Sequence, residues 1–214
     1  MAYSQFTLKT VKAKLGIELV EDTHLFPAGT IEPTPISSYL KTTLDEFSPL
    51  ALAINTEKSR SEWIIAPILA ELRKQLNPAI SLFSGSTFTV DAENELDGKC
   101  DYIISLSPEQ FYITAPIIAI VEAKKEDIIQ GLGQCIATLY AVDIYNQREG
   151  IPLPCVYGVV TTGTTWKFIK LVGHKAYIDV DEYYLKEIAL LMGIFTAIVT
   201  AEQNLINQPG TPNG

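Results

Sequence analysis

Apolar positions in this chain recur with helical spacing in some segments and form short continuous runs in others. Helical spacing predicts amphipathic helices, and short runs bounded by turn-forming residues predict strands. The predicted helices are Ser4–Leu15, Ile36–Phe47, Thr56–Leu76, Glu126–Asn146 and Asp181–Asn204. The predicted strands are Ile80–Ser84, Thr87–Asp91, Lys99–Leu106, Pro116–Lys124, Pro154–Thr161, Thr165–Val172 and Lys175–Val180. From Thr56 onward this order predicts an α/β fold with a mixed sheet and helices packed on it.

Glycine and proline qualify this pattern. A cluster of prolines predicts a loop over Glu21–Pro35, and Pro67 predicts a kink or a restart in the helix over 56–76. Gly131 and Gly133 weaken the helix over 126–146 by ~1 kcal/mol each. Asn207–Gly214 (NQPGTPNG) is typical of a flexible tail. We therefore expect one domain over 1–206 with its core over 56–172, followed by the tail over 207–214.

Composition narrows the class of protein. The chain has 214 residues, 47% of them hydrophobic, which is enough for a folded domain with a real core. Its net charge of −9 argues against tight nonspecific binding of nucleic acid, because that binding comes from Lys and Arg on phosphates. A local basic patch remains compatible with an acidic chain, and carboxylates that hold a cation add to the negative count.

The cellular setting is predicted from what the sequence lacks. No apolar run is expected to reach the length of a membrane span, and the N-terminus lacks the apolar core of a signal peptide. Cys100, Cys135 and Cys155 form no closely spaced pair, which argues against a disulfide framework or a zinc knot. We expect them to pack as small apolar residues in a cytoplasmic protein. His24 and His174 lie far apart in sequence, so a His-rich metal site is not expected.

The segment Ile117–Asp127 (IIAIVEAKKED) carries the most chemistry. Its apolar run suits a strand buried on both faces. Where the run ends, Glu122 and Lys124 are two residues apart and should point to the same side, about 6–7 Å apart. Asp101 lies on the preceding strand. Two carboxylates that hold a hard cation through oxygen, beside a lysine, suit phosphodiester hydrolysis.

Five motifs around these residues occur in order. They are Glu57…Arg60…Ile65-Ala66-Pro67-Ile68-Leu69, Gly98-Lys99-Cys100-Asp101-Tyr102, Ile120-Val121-Glu122-Ala123-Lys124-Lys125, Gly131-Leu132-Gly133-Gln134, and Val159-Val160-Thr161-Thr162-Gly163 before Trp166. Together they resemble the PD-(D/E)xK, or restriction-endonuclease-like, nuclease superfamily. The closest resemblance is to the N-terminal nuclease domain of type I restriction enzyme R subunits. It covers about Thr56 to Leu171, and Thr138 stands where that family often has tyrosine.

The resemblance implies an αβββαβ core with an N-terminal extension and a long C-terminal helix. It also implies a DNA-cleaving site for Mg²⁺ or Mn²⁺ in a restriction, defence or repair system. Asp101, Glu122 and the backbone carbonyl of Ala123 would bind the metal, with Glu57 or Glu62 as a further acidic ligand. Lys124 would orient water or stabilise the transition state, and Gln134 would contact the lysine or the backbone. The expected nucleic-acid contacts are Lys58, Arg60, Lys99 and Lys125.

Each assignment has a structural alternative. Asp101 could be an exposed charge, and Glu122 and Lys124 could form a strand-end ion pair. Glu62 fits a capping box with Ser59, Glu57 fits a solvated first turn, and Gln134 fits a helix-surface amide. Trp166 is expected in the core. The alternative function is a catalytically silent endonuclease-like subunit of a homodimer or larger assembly, with the apolar C-terminal helix as the contact surface.

Overall fold

An eight-stranded mixed sheet forms the centre of the computed structural model, which describes residues 3–76 and 79–207. The strands are β1 (Glu18–Thr23), β2 (Ser81–Thr87), β3 (Lys99–Ser105), β4 (Ile117–Ala123), β5 (Val156–Thr161), β6 (Thr165–Val172), β7 (Lys175–Asp179) and β8 (Tyr183–Tyr184). They lie in the order β1-β7-β6-β5-β4-β3-β2, with β8 paired to β6. The β1–β7 and β4–β5 pairs are parallel and the others are antiparallel.

Helices flank this sheet. They are α1 (Leu8–Leu15), α2 (Ser38–Ile54), α3 (Glu57–Arg60), α4 (Ala66–Gln75), α5 (Ile128–Arg148) and α6 (Ile188–Asn207). Helix α5 is the crossover that parallel strands β4 and β5 require. The predicted α/β architecture, with a mixed sheet flanked by helices and a long C-terminal helix, is confirmed. The tail predicted over 207–214 lies outside the described residues apart from Asn207, which ends α6.

Strand β4 carries Glu122 and lies inside the fold. All seven of its residues are buried, as the continuous apolar run predicts. Helix α5 crosses β5 so closely that a Cβ on Gly158 would lie 2.6 Å from the Cys135 sulfur. Trp166 is fully buried, and its indole N–H donates to the Gly163 carbonyl, so the prediction that it belongs to the core is confirmed. All three cysteines are buried and unpaired.

Of the kink or restart expected at Pro67, the structure shows a restart, because a π-helical turn over Ser61–Ile65 joins α3 to α4, which begins at Ala66. Proline has no N–H, so the ordinary i−4 bond cannot form at that position. Just before it, the N–H of Ala66 donates to Ser61, five residues back. The predicted helix over 56–76 is therefore two helices with a wide turn between them.

Four element predictions were wrong. The loop predicted over Glu21–Pro35 begins later, because β1 is an exposed edge strand without an apolar alternation that would reveal it. The second predicted strand, Thr87–Asp91, is absent, since β2 runs through Gly85 to Thr87. Helix α2 continues through Pro49 instead of ending at Phe47. Helix α6 begins at Ile188, after β8 and a short 3₁₀ turn.

Helix α6 also corrects the expectation that no apolar segment reaches membrane-span length. Leu185–Ile206 is long and apolar enough by length and composition, with 44% of that stretch buried in the fold. Its Phe195 ring contacts Trp166 and Phe168 of β6 edge to face. One face of this apolar segment therefore packs on the sheet, and we interpret α6 as a helix of the protein core.

The N-terminal segment lies across α5. The helix predicted over Ser4–Leu15 is a 3₁₀ turn followed by α1, which begins after a capping box between Thr7 and Thr10. A Cβ on Gly133 would lie 2.4 Å from the Thr7 carbonyl carbon and 2.7 Å from the Phe6 carbonyl oxygen. Glycine at this position is therefore what lets the N-terminal segment reach α5.

Gly133→Ala should destabilise the fold, because the added methyl group meets backbone atoms that cannot rotate away. We expect a loss of about 1–3 kcal/mol, typical of overpacking, measured by chemical denaturation. Gln130→Ala, on an exposed position of the same helix, is the matched control and should change stability little. Equal stability of the two variants would contradict the close approach.

Candidate active site

Two carboxylates face each other across strands β3 and β4. Tyr102 lies opposite Val121, so the register continued by one residue places Asp101 opposite Glu122. Residues directly opposite in an antiparallel pair share a face, with Cβ atoms about 5 Å apart. The Asp101 carboxylate also accepts a 2.8 Å hydrogen bond from the Ala123 N–H. Asp101 is therefore tied to the end of β4 and is not an isolated surface charge.

Glu122 is fully buried, an unusual environment for a carboxylate. One oxygen, Oε2, accepts a 2.7 Å hydrogen bond from the Gln134 amide. The other, Oε1, accepts no hydrogen bond from a donor among the described residues, although Asp101 is close enough to share a proton with a protonated Glu122. Burial raises the pKa of Glu122 well above its ordinary value, and Asp101 raises it further through its charge and this hydrogen bond, against a lowering effect of Lys124. Lys124 therefore compensates an ionised Glu122 only in part, and a bound cation would supply more compensation.

Lys124 lies beside this pair and is held by the same amide. Its Nζ donates to Gln134 Oε1 over 3.1 Å, so Gln134 bridges the lysine and Glu122. This contact replaces the alternative of a helix-surface amide. Thr138, one turn further along α5, is buried and donates back to the Gln134 carbonyl, so no side chain from that position reaches the site.

Gly131 makes the room that Lys124 occupies. A Cβ at this position would lie 3.1 Å from both Cγ and Cε of Lys124 and 2.5 Å from Val160. The glycine that weakens the helix in isolation therefore admits the lysine side chain between α5 and β5. The two helix glycines have separate roles, since Gly133 contacts the N-terminal segment on another side.

The acidic residues of the first helix do not complete a three-carboxylate site. Glu62 is half exposed and pairs with Lys58 at 2.6 Å, and the capping box lies one turn earlier, between Thr56 and Ser59. Glu57 is exposed, although its charge contributes to raising the pKa of Glu122. In the described part of the chain, neither forms with Asp101 and Glu122 a group whose ligand atoms all lie within 4.8 Å of one another.

Arg60 is engaged in a network that the sequence did not reveal. Its guanidinium donates to Asn55 Oδ1 at 3.2 and 3.0 Å and to the Thr162 carbonyl at 2.9 Å. Asn55 in turn donates to Glu126, after Lys124 and Lys125. The network ties α3 to the loop before α5 and to the β5–β6 turn. Asn55 ends α2 with a positive φ of 53°. The preference for asparagine at such helix ends is the one sequence signal that could have identified Asn55.

The other predicted nucleic-acid contacts lie at the surface. Lys99 is exposed near the start of β3, with its side chain over Gly85. Lys125 is exposed and lies 3.4 Å from Glu126.

A second group of metal-ligating side chains lies elsewhere. His24, Asp179 and Asp181 have ligand atoms within 4.8 Å of one another, brought together by the parallel pairing of β1 and β7. Both oxygens of buried Asp179 already accept hydrogen bonds, from the N–H groups of Leu25 and Asp181 and from the Tyr183 hydroxyl. These hydrogen bonds compensate the burial of Asp179 without a metal ion. The histidine and the aspartates are too far apart in sequence to form a recognisable motif.

Comparison with known proteins adds no family. No family model matches this chain, and no curated protein matches it.

Glu122→Gln should stabilise the protein at neutral pH without divalent cations. The raised pKa means that the folded state holds a proton that the unfolded chain releases above about pH 4.3, so stability falls as pH rises through the folded pKa. The glutamine amide cannot ionise, which removes this penalty. We expect Tm at pH 7 to rise by about 2–4 °C for each kcal/mol of penalty removed, and this rise to shrink below about pH 4.

Differential scanning calorimetry across this pH range measures the effect. Glu21→Gln, at an exposed position of β1, is the control and should leave Tm unchanged at every pH. A lower Tm for Glu122→Gln at pH 7 would contradict a penalty on the buried carboxylate.

Proposed function

We propose that this protein is a metal-dependent nuclease of the PD-(D/E)xK type that hydrolyses phosphodiester bonds of DNA. One observation carries the proposal: buried Glu122 has an oxygen without a partner beside Asp101, and Gln134 links it to Lys124. The five motifs that resemble the type I restriction R-subunit nuclease domain support the same function. A restriction, defence or repair setting is part of this proposal.

The residues present fit a hard divalent cation. Asp101 and Glu122 offer carboxylate oxygens, the ligands that Mg²⁺ and Mn²⁺ prefer, and the Ala123 carbonyl lies between them and Lys124 in the chain. A cation there would satisfy Oε1 of Glu122 and offset the charge that burial disfavours. When bound, the metal would offset phosphate charge and favour ionisation of an attacking water.

The chain's own residues prepare the site for this chemistry. The Ala123 N–H donates to one Asp101 oxygen, which fixes the orientation of that carboxylate. Gln134 donates to Glu122 and accepts from Lys124, so it holds the carboxylate and the lysine of the site in one geometry. The lysine ammonium would then orient the attacking water or stabilise charge on the phosphate in the transition state.

Cleavage of circular single-stranded and supercoiled DNA tests the proposal. With Mg²⁺ or Mn²⁺ we expect cutting that falls at least about 100-fold in Asp101→Asn and Lys124→Ala, since each removes a group that acts in the transition state. Asp22→Asn and Lys175→Ala, exposed on β1 and β7, are the matched controls and should cut like wild type.

Absence of metal-dependent cutting, with all variants folded, would sink the nuclease proposal. The alternative of a catalytically silent endonuclease-like subunit would then be favoured. Metal-induced stabilisation gives a second readout, because a bound ligand at about 100 times its Kd adds ~2.7 kcal/mol of stability. Wild type should gain it and Glu122→Gln should not.

Gly131→Ala should separate metal binding from cleavage. The new methyl group would lie 2.5 Å from Val160 and 3.1 Å from Lys124, so both side chains must shift and Lys124 moves away from Gln134, whereas Asp101 and Glu122 are not among its nearest neighbours. We expect the metal-induced rise in Tm to persist while the cleavage rate falls at least about tenfold. Wild-type cleavage in a variant that melts as a folded protein would show that the position of Lys124 does not matter.

A further inference from the structure

The cations around the candidate site are mostly engaged by neighbouring groups. Lys58 is paired with Glu62 at 2.6 Å, and Lys125 lies 3.4 Å from Glu126. Two further cations near the site are held by neutral groups, since Arg60 donates to Asn55 and Thr162 and Lys124 donates to Gln134. Among the described residues near the site, Lys99 is the exposed cation without such a partner.

Displacing these partners would not create a basic surface. Exposed ion pairs are weak, so a phosphate can replace the carboxylate on Lys58 or Lys125. The displaced carboxylate remains on the same segment, within the distance of about 8–10 Å over which charges interact in salt solution. Glu57 and Asp127, both exposed, complete an acidic rim with Glu62 and Glu126, whose four charges equal those of Lys58, Arg60, Lys99 and Lys125. A nucleic acid that lies across this balanced surface would therefore gain little net attraction at most of its phosphates.

Burial of the site residues also limits how a nucleic acid can reach them. Glu122 is fully buried, and Asp101 and Lys124 are partly buried, so a scissile phosphate must approach the end of β4 closely to reach them. Duplex DNA is stiff over about 150 base pairs and carries a charge every ~1.7 Å along its axis. A single strand has a lower charge density and a flexible backbone, so one of its phosphates can approach the end of β4 while the others stay away from the acidic rim.

We propose that the substrate is single-stranded DNA, held through only one or two phosphates at the site and at Lys99. This inference rests on the proposed nuclease function, which it makes specific. It follows from the engaged cations, the acidic rim and the buried carboxylate, and it predicts weak dependence of binding on salt.

Binding of a fluorescein-labelled single strand and its matched duplex, with Ca²⁺ in place of Mg²⁺, tests the inference by fluorescence anisotropy. Two phosphate contacts on a single strand give a slope of log K against log salt of about −1.4, or about a sevenfold loss from ~50 to ~200 mM salt. A protein that grips duplex DNA through 6–10 phosphates loses about 10³–10⁵-fold over this range. We expect tighter binding of the single strand and the shallow slope.

Two variants locate the contacts. Lys99→Ala should reduce the steepness of the slope by about 0.7, because it removes one phosphate contact, and Lys175→Ala should not change it. Glu62→Gln should tighten single-strand binding about two- to fivefold by removing one charge from the rim. Glu21→Gln, on the far edge of the sheet, is its control and should leave affinity unchanged. An unchanged slope in Lys99→Ala would overturn the assigned contact.

Cleavage distinguishes failure of this inference from failure of the proposed function. Metal-dependent cutting of supercoiled duplex at least as fast as circular single strand, with a steep salt slope, would overturn the inference and leave the nuclease standing. Absence of metal-dependent cutting of both DNAs would overturn the function and the inference with it. Faster cutting of the single strand with the shallow slope would support both.

Discussion

The burial of one carboxylate, that of Glu122, constrains the rest of the site. A buried acid is costly when ionised, and its neighbours raise or lower that cost. Here Asp101 and Glu57 raise the pKa of Glu122, Lys124 lowers it, and the Gln134 amide satisfies only one of its oxygens. With Glu122 ionised, this arrangement destabilises the folded protein unless a cation binds beside that carboxylate. Perturbed acids of this kind cluster at functional sites, because function requires a geometry that stability alone would not select.

Helix α5 positions the groups around that carboxylate both with a side chain that it supplies and with two positions that have no side chain. It supplies Gln134, but Lys124 reaches the amide only because position 131 has no side chain. Position 133 lacks one for a different reason, since the N-terminal segment crosses there. A helix with two interior glycines has lower intrinsic stability. Burial of its apolar face against β4 and β5 offsets this loss, as tertiary packing commonly does for helices.

The sequence predicts the parts of this structure that depend on local pattern. A continuous apolar run predicts β4, and the i, i+2 spacing at its end predicts that Glu122 and Lys124 share a side. The order of elements predicts the mixed sheet with helices on it. The edge strand β1 could not be predicted in this way, because an exposed strand that pairs with distant β7 has no apolar alternation. The Asn55–Arg60 network could not be predicted either, since its partners come from three separate segments.

The chain has a net charge of −9, and around the site carboxylates balance the cations, which has a structural origin. The lysines near the site lie on the same short segments as glutamates, Lys58 with Glu62 on one turn and Lys125 next to Glu126. Each of these lysines therefore has a neutralising partner close to it in its own segment. A surface built in this way cannot become a strip of positive charge by side-chain rearrangement alone. Attraction for a polyanion must then come from the few groups without such a partner and from any cation bound beside Glu122. Recognition that depends on so few charges favours a substrate that brings one phosphate to the end of β4 and keeps the others away from the acidic rim.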